Sequence, residues 1–209
     1  MMIDRSQNPK AIIILAHGSG APMHSHFMNT ITRELMAHSI DVIRFEFDYM
    51  AQRRTGGSKR PPPKMPILVK QFEQVCQHIL TCEKLPVFIA GKSMGGRVAS
   101  LLAASSRMPA AIHGVACLGY PFHPPKELDN TRIEHLPEIT KPLIIVQGTR
   151  DALGNADEVQ GYNLPSHIKI HWLTAADHDF EPLKSSGLTQ QHSITQSAQW
   201  VSEWIDLSL

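Results

Sequence analysis

The chain carries almost no net charge, few cysteines and no long apolar run. Its 20 Lys and Arg balance 19 Asp and Glu, for a formal net charge of +1. No overall field therefore draws it to nucleic acid or a membrane surface. Three cysteines, Cys76, Cys82 and Cys117, are too few and too badly spaced for a disulfide framework or a zinc site. Cys76 and Cys82 fall on different faces of a predicted helix, and Cys117 reads as core. The first ten residues lack the apolar segment of a secretory signal. The run Ala11 to Ala16 is far too short to span a bilayer. Free thiols and the missing signal together imply a cytoplasmic location. The 12 histidines are scattered. His24 and His26 lie two apart at a helix start, on different faces, so neither metal nor cofactor is expected. No linker, repeat or low-complexity tract divides residues 1–209, which are expected to form one domain.

What is present is an ordinary globular composition, 42% hydrophobic and 19% charged. Residues 10–16 form a continuous β-branched run, the pattern of a strand buried on both faces. Helical spacing follows over 23–38, a strand over 41–47, and a helix over 66–84. Between the last two lies Asp48 to Pro66, read as a long loop with Arg53, Arg54, Lys59, Arg60 and Lys64 but no acid inside the basic run. It is either a solvated surface loop or a flap that recruits an anionic substrate or partner. Further strands are predicted at 86–90, 111–118, 141–148 and 168–173, with helices over 95–106, 155–162 and 190–207. Residues 126–140 read as a polar loop or short helix. Six alternations of strand and helix imply a three-layer α/β/α sandwich around a mainly parallel sheet of about six strands.

The chemistry centres on Gly91-Lys92-Ser93-Met94-Gly95, between an apolar strand and a helical pattern. In that context G-x-S-x-G is a nucleophile elbow. A serine in so sharp a turn needs neighbours with almost no side chain, which Gly91 and Gly95 supply. Serine is a poor nucleophile at neutral pH and needs a histidine base, itself oriented by a carboxylate. Sites in parallel sheets form beyond the C-terminal strand ends. Those ends carry His17-Gly18-Ser19-Gly20, Ser93, Asp151 and His178. Ser93, Asp151 and His178 are therefore the candidate nucleophile, acid and base. His171 lies inside a strand, His192 at a helix start and Asp157 within a helix, so each is a weaker rival. Asp177 and Asp179 flank His178 and are expected to shape its turn. The oxyanion requires two backbone N–H donors. Met94 supplies one, and the loop after the first strand the other, at Ser19 or alternatively Gly20. His17 is expected to order that loop. Substrate contacts are expected from Gly20, Tyr120 and, if the basic loop folds over the site, Arg53, Arg54 and Arg60.

Over essentially its whole length the sequence resembles the α/β-hydrolase superfamily. The carriers are HGSG at 17–20, GKSMGG at 91–96, GTRD at 148–151 and ADHDF at 176–180. A closer likeness is to a small KANSL/Tex-type group within the dienelactone-hydrolase-like set, through AHGSGAPM, the FDY-to-PPP loop, GKSMGGR and GYPFHPP. The resemblance implies Ser93, Asp151 and His178 in the roles above and an oxyanion loop around Ser19. Against the full family pattern, the two N-terminal strands and the lid domain are missing. The site is then expected to be shallow, or covered only by the 48–66 loop and the Tyr120–Pro125 turn. The expected activity is hydrolysis of a small ester or thioester through an acyl-enzyme, without cofactor. The alternative is a non-catalytic interaction protein that uses the basic 53–64 loop.

Overall fold

The computed structural model describes residues 1–54 and 56–209; Thr55, inside the expected 48–66 loop, lies outside the described residues. Seven strands form one sheet: β1 (Met2–Asp4), β2 (Ala11–Ala16), β3 (Ile40–Phe45), β4 (Val87–Lys92), β5 (Ile112–Leu118), β6 (Leu143–Gly148) and β7 (Lys169–Leu173). Their order is β1-β3-β2-β4-β5-β6-β7. Neighbours from β3 to β7 pair in parallel, whereas β1 pairs antiparallel with β3. The expectation of about six strands is thus corrected by one short edge strand. Met2-Ile3-Asp4 shows no periodicity, and charge rather than apolar burial holds it. Arg44 on β3 reaches Asp4 at 2.9 Å, and Arg5 reaches Asp41 at 2.8 Å.

Among the described residues, six α-helices complete the layers: α1 (His26–Ala37), α2 (Asp48–Arg54), α3 (Met65–Cys82), α4 (Met94–Ala103), α5 (Ala156–Gln160) and α6 (Gln190–Ser208). The run Ile12 to Leu15 explains the sandwich. Successive strand residues point to opposite faces. Ile12 and Ile14 join Phe72 of α3 and Val98 and Leu102 of α4 in one core. Ile13 and Leu15 join Ile31 and Leu35 of α1 and Ile194, Val201 and Ile205 of α6 in the other. All four β2 residues are fully buried, each worth about 1.5–3 kcal/mol. A strand that covers two cores has to read as an unbroken apolar run.

The stretch after β3 also departs from expectation. Asp48 to Arg54 is the helix α2, not loop, and only residues between it and Met65 connect to α3. Tyr49 and Met50 turn inward from α2 to the core, which a basic, seven-residue segment does not advertise. Pro66 sits in the first turn of α3, where its missing N–H costs nothing.

β4 runs into α4 through Ser93, whose backbone has φ 52° and ψ −115°. This left-side φ is costly for a residue with a Cβ. The neighbours leave no freedom to relax it. A methyl on Gly95 would stand 2.6 Å from the Ala16 carbonyl oxygen and 2.7 Å from that of His17. One on Gly91 would collide with the backbone of Gly95 and Gly96. Strand, turn and helix are therefore packed backbone to backbone. Gly95→Ala is expected to cost about 3 kcal/mol or more. Gly20→Ala, where a methyl meets nothing within 4 Å, should stay within about 0.5 kcal/mol of wild type. Urea unfolding of the two variants side by side checks this contrast.

Candidate active site

The Ser93 hydroxyl stands beyond the C-terminal end of β4, and His178 comes to it from the loop after β7. His178 Nε2 lies 2.8 Å from Ser93 Oγ, and His178 Nδ1 lies 2.8 Å from Asp151 Oδ2. Asp151, just past the end of β6, is fully buried. Its Oδ1 accepts from the Leu153 N–H at 2.8 Å, and its Oδ2 also accepts from Gln147 Nε2 at 2.9 Å. A buried carboxylate needs such donors. It accepts from Nδ1–H, which leaves Nε2 with its lone pair toward the serine. Sequence reasoning missed Gln147. Fully buried on β6, it also accepts from the Tyr120 N–H at 2.7 Å and donates toward the Tyr120 and Gly154 carbonyls at 3.0 Å. A buried glutamine in an otherwise apolar strand was the available signal.

The His178 loop is held at both sides. Asp177 Oδ1 accepts from the N–H groups of Asp179 and Glu181 at 2.9 and 3.0 Å, so it shapes the turn. Lys92, the residue before Ser93, donates from Nζ to the His178 carbonyl at 2.6 Å. Its ammonium lies 5.3 Å from the Phe27 ring centroid and 5.4 Å from that of Phe180. Asp179 Oδ1 is 4.0 Å away. Only 7% of Lys92 is exposed. Burial, outweighing the pull of Asp179, Asp151 and Asp177, lowers its pKa from 10.5 to about 8.

On the opposite side of Ser93 lies the loop after β2. His17, fully buried, donates from Nδ1 to the Gly18 carbonyl at 2.6 Å. Its Nε2 accepts from the Phe47 N–H at 3.2 Å. Burial lowers its pKa and favours the neutral ring these bonds require. The Tyr49 hydroxyl donates to the Ser19 carbonyl at 2.9 Å and lies 3.9 Å from Met94 Sδ. Tyr49 thus braces both expected oxyanion residues from below. Among the described residues, no protein acceptor engages the backbone N–H of Met94 or Ser19. Met94 opens α4, where free N–H groups and the helix dipole favour negative charge.

Two cavities meet at Ser93. The smaller, about 200 Å³, is lined by Ser19, Gly20, Phe27, Lys92 and His178, among others. The larger, about 380 Å³, is bounded by Ser19, Met94, Arg97 and Arg132, with walls that include Pro62, Pro63, Pro121 and Pro125. The loop before α3 and the turn after β5 therefore both wall the site. Several expected substrate contacts are corrected. The Tyr120 ring is fully buried, its hydroxyl donating to the Arg132 carbonyl at 2.8 Å, so it supports the site from within. Arg54 pairs with Glu46 at 2.9 Å and lines a separate cavity of about 390 Å³ that contains none of Ser93, Asp151 and His178. Arg53 lies 5.5 Å from the Tyr49 ring centroid and donates to the Arg60 carbonyl at 2.8 Å, which ties the loop to α2. Neither Arg53 nor Arg60 lines the two cavities at Ser93. Of the rival histidines, His171 stacks at 4.9 Å on Trp200, and His192 lines a pocket with Trp172 and Trp200.

A mainly parallel sheet, with a serine on a strained strand-to-helix turn and a histidine and buried aspartate at later strand ends, defines the α/β-hydrolase class. Residues 9–206 match the model of the alpha/beta hydrolase domain family, and the chain belongs to that family. Human monoglyceride lipase is 34% identical over 100 residues, a stretch covering 46% of this chain and 31% of the lipase. The monoglyceride lipase homolog of monkeypox virus is 30% identical over 100 residues, 46% of this chain and 33% of that protein. The chain thus spans about a third of the length of these curated relatives. Among solved structures, Est1E from Butyrivibrio proteoclasticus superposes with a TM-score of 0.72 at 13% identity, covering 98% of this chain and 93% of that one. Dienelactone hydrolase from Anabaena variabilis superposes with a TM-score of 0.69 at 21% identity, covering 99% and 90%. Among the described residues, no helix is long and apolar enough to cross a membrane.

Lys92 gives the site a pH signature. Between about pH 8 and 10.5 the unfolded chain keeps the Lys92 proton that the folded chain has released. Its burial penalises the fold in full below pH 8 and is relieved as pH rises through that window. In urea unfolding, wild type should gain stability relative to Lys92→Met between pH 8 and 10.5. A difference that does not change with pH would show that Lys92 is not desolvated.

Proposed function

We propose that this protein is a serine-dependent carboxylic-ester hydrolase acting on a small ester or thioester. The observation that carries the reading is the unbroken hydrogen-bonded chain Ser93 Oγ–His178–Asp151, with a 2.8 Å separation at each link. Ser93 Oγ attacks the carbonyl carbon while His178 Nε2 takes the hydroxyl proton. Asp151 holds the imidazolium that results. The oxyanion forms toward the Met94 and Ser19 amides. When the tetrahedral species collapses, the bond to the leaving oxygen or sulfur breaks. His178 gives its proton to the departing alcohol or thiol. Water then attacks the acyl-serine, His178 accepting its proton, and the acid leaves as Ser93 regains its hydrogen.

The likeness to human monoglyceride lipase supports an ester substrate. The motifs AHGSGAPM, GKSMGGR and GYPFHPP support placement in the KANSL/Tex-type subgroup. The same reading takes residues 1–209 as one domain working in the cytoplasm. The competing reading, an interaction surface built on the basic 53–64 loop, loses ground because Arg53 and Arg54 are engaged within the chain.

A fluorophosphonate probe should label wild type at Ser93 and leave Ser93→Ala unlabelled; a folded wild-type protein that takes no label would sink the proposal. Ser93→Ala and His178→Ala should each lower kcat by several orders of magnitude, and the double variant should fall little further. Tyr49→Phe should lower kcat about tenfold with KM nearly unchanged, because the brace under the oxyanion residues is lost while binding is not. Steady-state kinetics on a short-chain p-nitrophenyl ester checks both.

A further inference from the structure

The larger cavity at Ser93 contains two arginines that the mechanism does not use. Arg97 lies one turn along α4, its N–H donating to the Ser93 carbonyl at 3.0 Å. Residues four apart on a helix share a face, with Cβ atoms about 5–6 Å apart. Arg132, from the segment after β5, lines the same space. Arg5, Arg44, Arg54 and Arg107 each pair with a carboxylate. Among the described residues, Arg97 and Arg132 share with Arg33, Arg53, Arg60 and Arg150 the lack of an ion pair, but only these two line a cavity at Ser93, and the buried Nε of Arg97, like that of Arg53, has no hydrogen-bond partner.

The surroundings worsen rather than relieve this charge. Burial and the neighbouring Arg97 both lower the Arg132 pKa, outweighing the opposing pulls of Tyr120 and Glu127. His135, 2.8 Å from the Ser100 hydroxyl, is pushed down to about 4 by burial and by Arg97, against a weaker pull from Glu134. Away from Ser19 and Ser93 the other walls are apolar, Pro62, Pro63, Met65, Pro121 and Leu153 among them. Two half-buried guanidinium groups facing a low-dielectric cavity lack an anion. Arginine forks match carboxylate oxygens two at a time.

The side of the reaction follows from His178. A leaving group has to receive its proton from His178, which lines the smaller cavity and not the larger. The acyl chain therefore extends toward Arg97 and Arg132. We propose that Arg97 and Arg132 form a carboxylate-binding subsite, so that the preferred substrate is a monoester or monothioester of a short dicarboxylic acid. The proposal rests on the ester-hydrolase reading. It places anion recognition elsewhere than on Arg53, Arg54 and Arg60, which the sequence offered for that role only if their loop folds over the site.

Mono-p-nitrophenyl succinate and glutarate, compared with p-nitrophenyl butyrate, test it. In wild type, kcat/KM for the anionic esters should exceed that for butyrate by roughly 10–100-fold. In Arg97→Gln and Arg132→Gln that ratio should collapse toward one, chiefly through KM, with partial recovery in Arg97→Lys. Free glutarate should inhibit competitively. Equal rates on charged and neutral esters, or an unchanged ratio in both Gln variants, would overturn the subsite while leaving the hydrolase reading intact. Inhibition by inorganic phosphate but not by glutarate would overturn the carboxylate assignment. If no ester is hydrolysed and the fluorophosphonate fails to label Ser93, the hydrolase reading itself falls.

Discussion

Backbone crowding at the end of β4 is the constraint on which the rest depends. Gly91, Gly95 and Gly96 meet one another, and Gly95 meets the carbonyls of Ala16, at the end of β2, and of His17 just after it, with no room for a methyl group. That contact fixes the distance between two adjacent strands and the helix above them. It also forces Ser93 to φ 52°. The turn so fixed holds the Ser93 Cα in place, and its hydroxyl meets His178 Nε2 at 2.8 Å. The strain is local, but two fully packed cores, one on each face of the sheet, hold it in place.

Charge inside the site is handled by neighbours in sequence as well as in space. Asp151 takes donors from Leu153, Gln147 and His178. Lys92 and Ser93 are adjacent, yet one grips the His178 backbone and the other its ring. The histidine is thereby held twice, and the grip on its backbone comes from Lys92, the last residue of the strand that leads into Ser93. Tyr49 plays a similar part across the site, joining Ser19 to Met94 through one hydroxyl.

Much of this was legible in the sequence, because strand runs, the G-x-S-x-G turn and residues at strand ends are local signals. The β2 run Ile12 to Leu15 announced a doubly covered strand, and Ser93, Asp151 and His178 were placed at one edge by counting strands alone. What stayed hidden depends on partners distant in the chain. β1 exists because Arg44 and Asp4 meet. α2 was concealed by its arginines, although Tyr49 and Met50 anchor it. Tyr120, expected to touch substrate, is instead fully buried. Gln147 carries no motif, and its role appears only once Asp151 and Tyr120 stand beside it. The basic loop was the visible concentration of charge, but the guanidinium groups that reach the larger cavity come from α4 and from Arg132.

The prolines around the larger cavity have a consequence for how it recognises a ligand. Pro62, Pro63, Pro121 and Pro125 contribute no N–H donors and hold their φ angles near one value. Such a rim offers a ligand shape but no amide hydrogen bonds. Its conformation is largely settled before anything enters, so little chain entropy is left to lose on association. Such a mouth sorts an occupant by size and branching, a criterion separate from the charge that Arg97 and Arg132 would select in the proposed subsite.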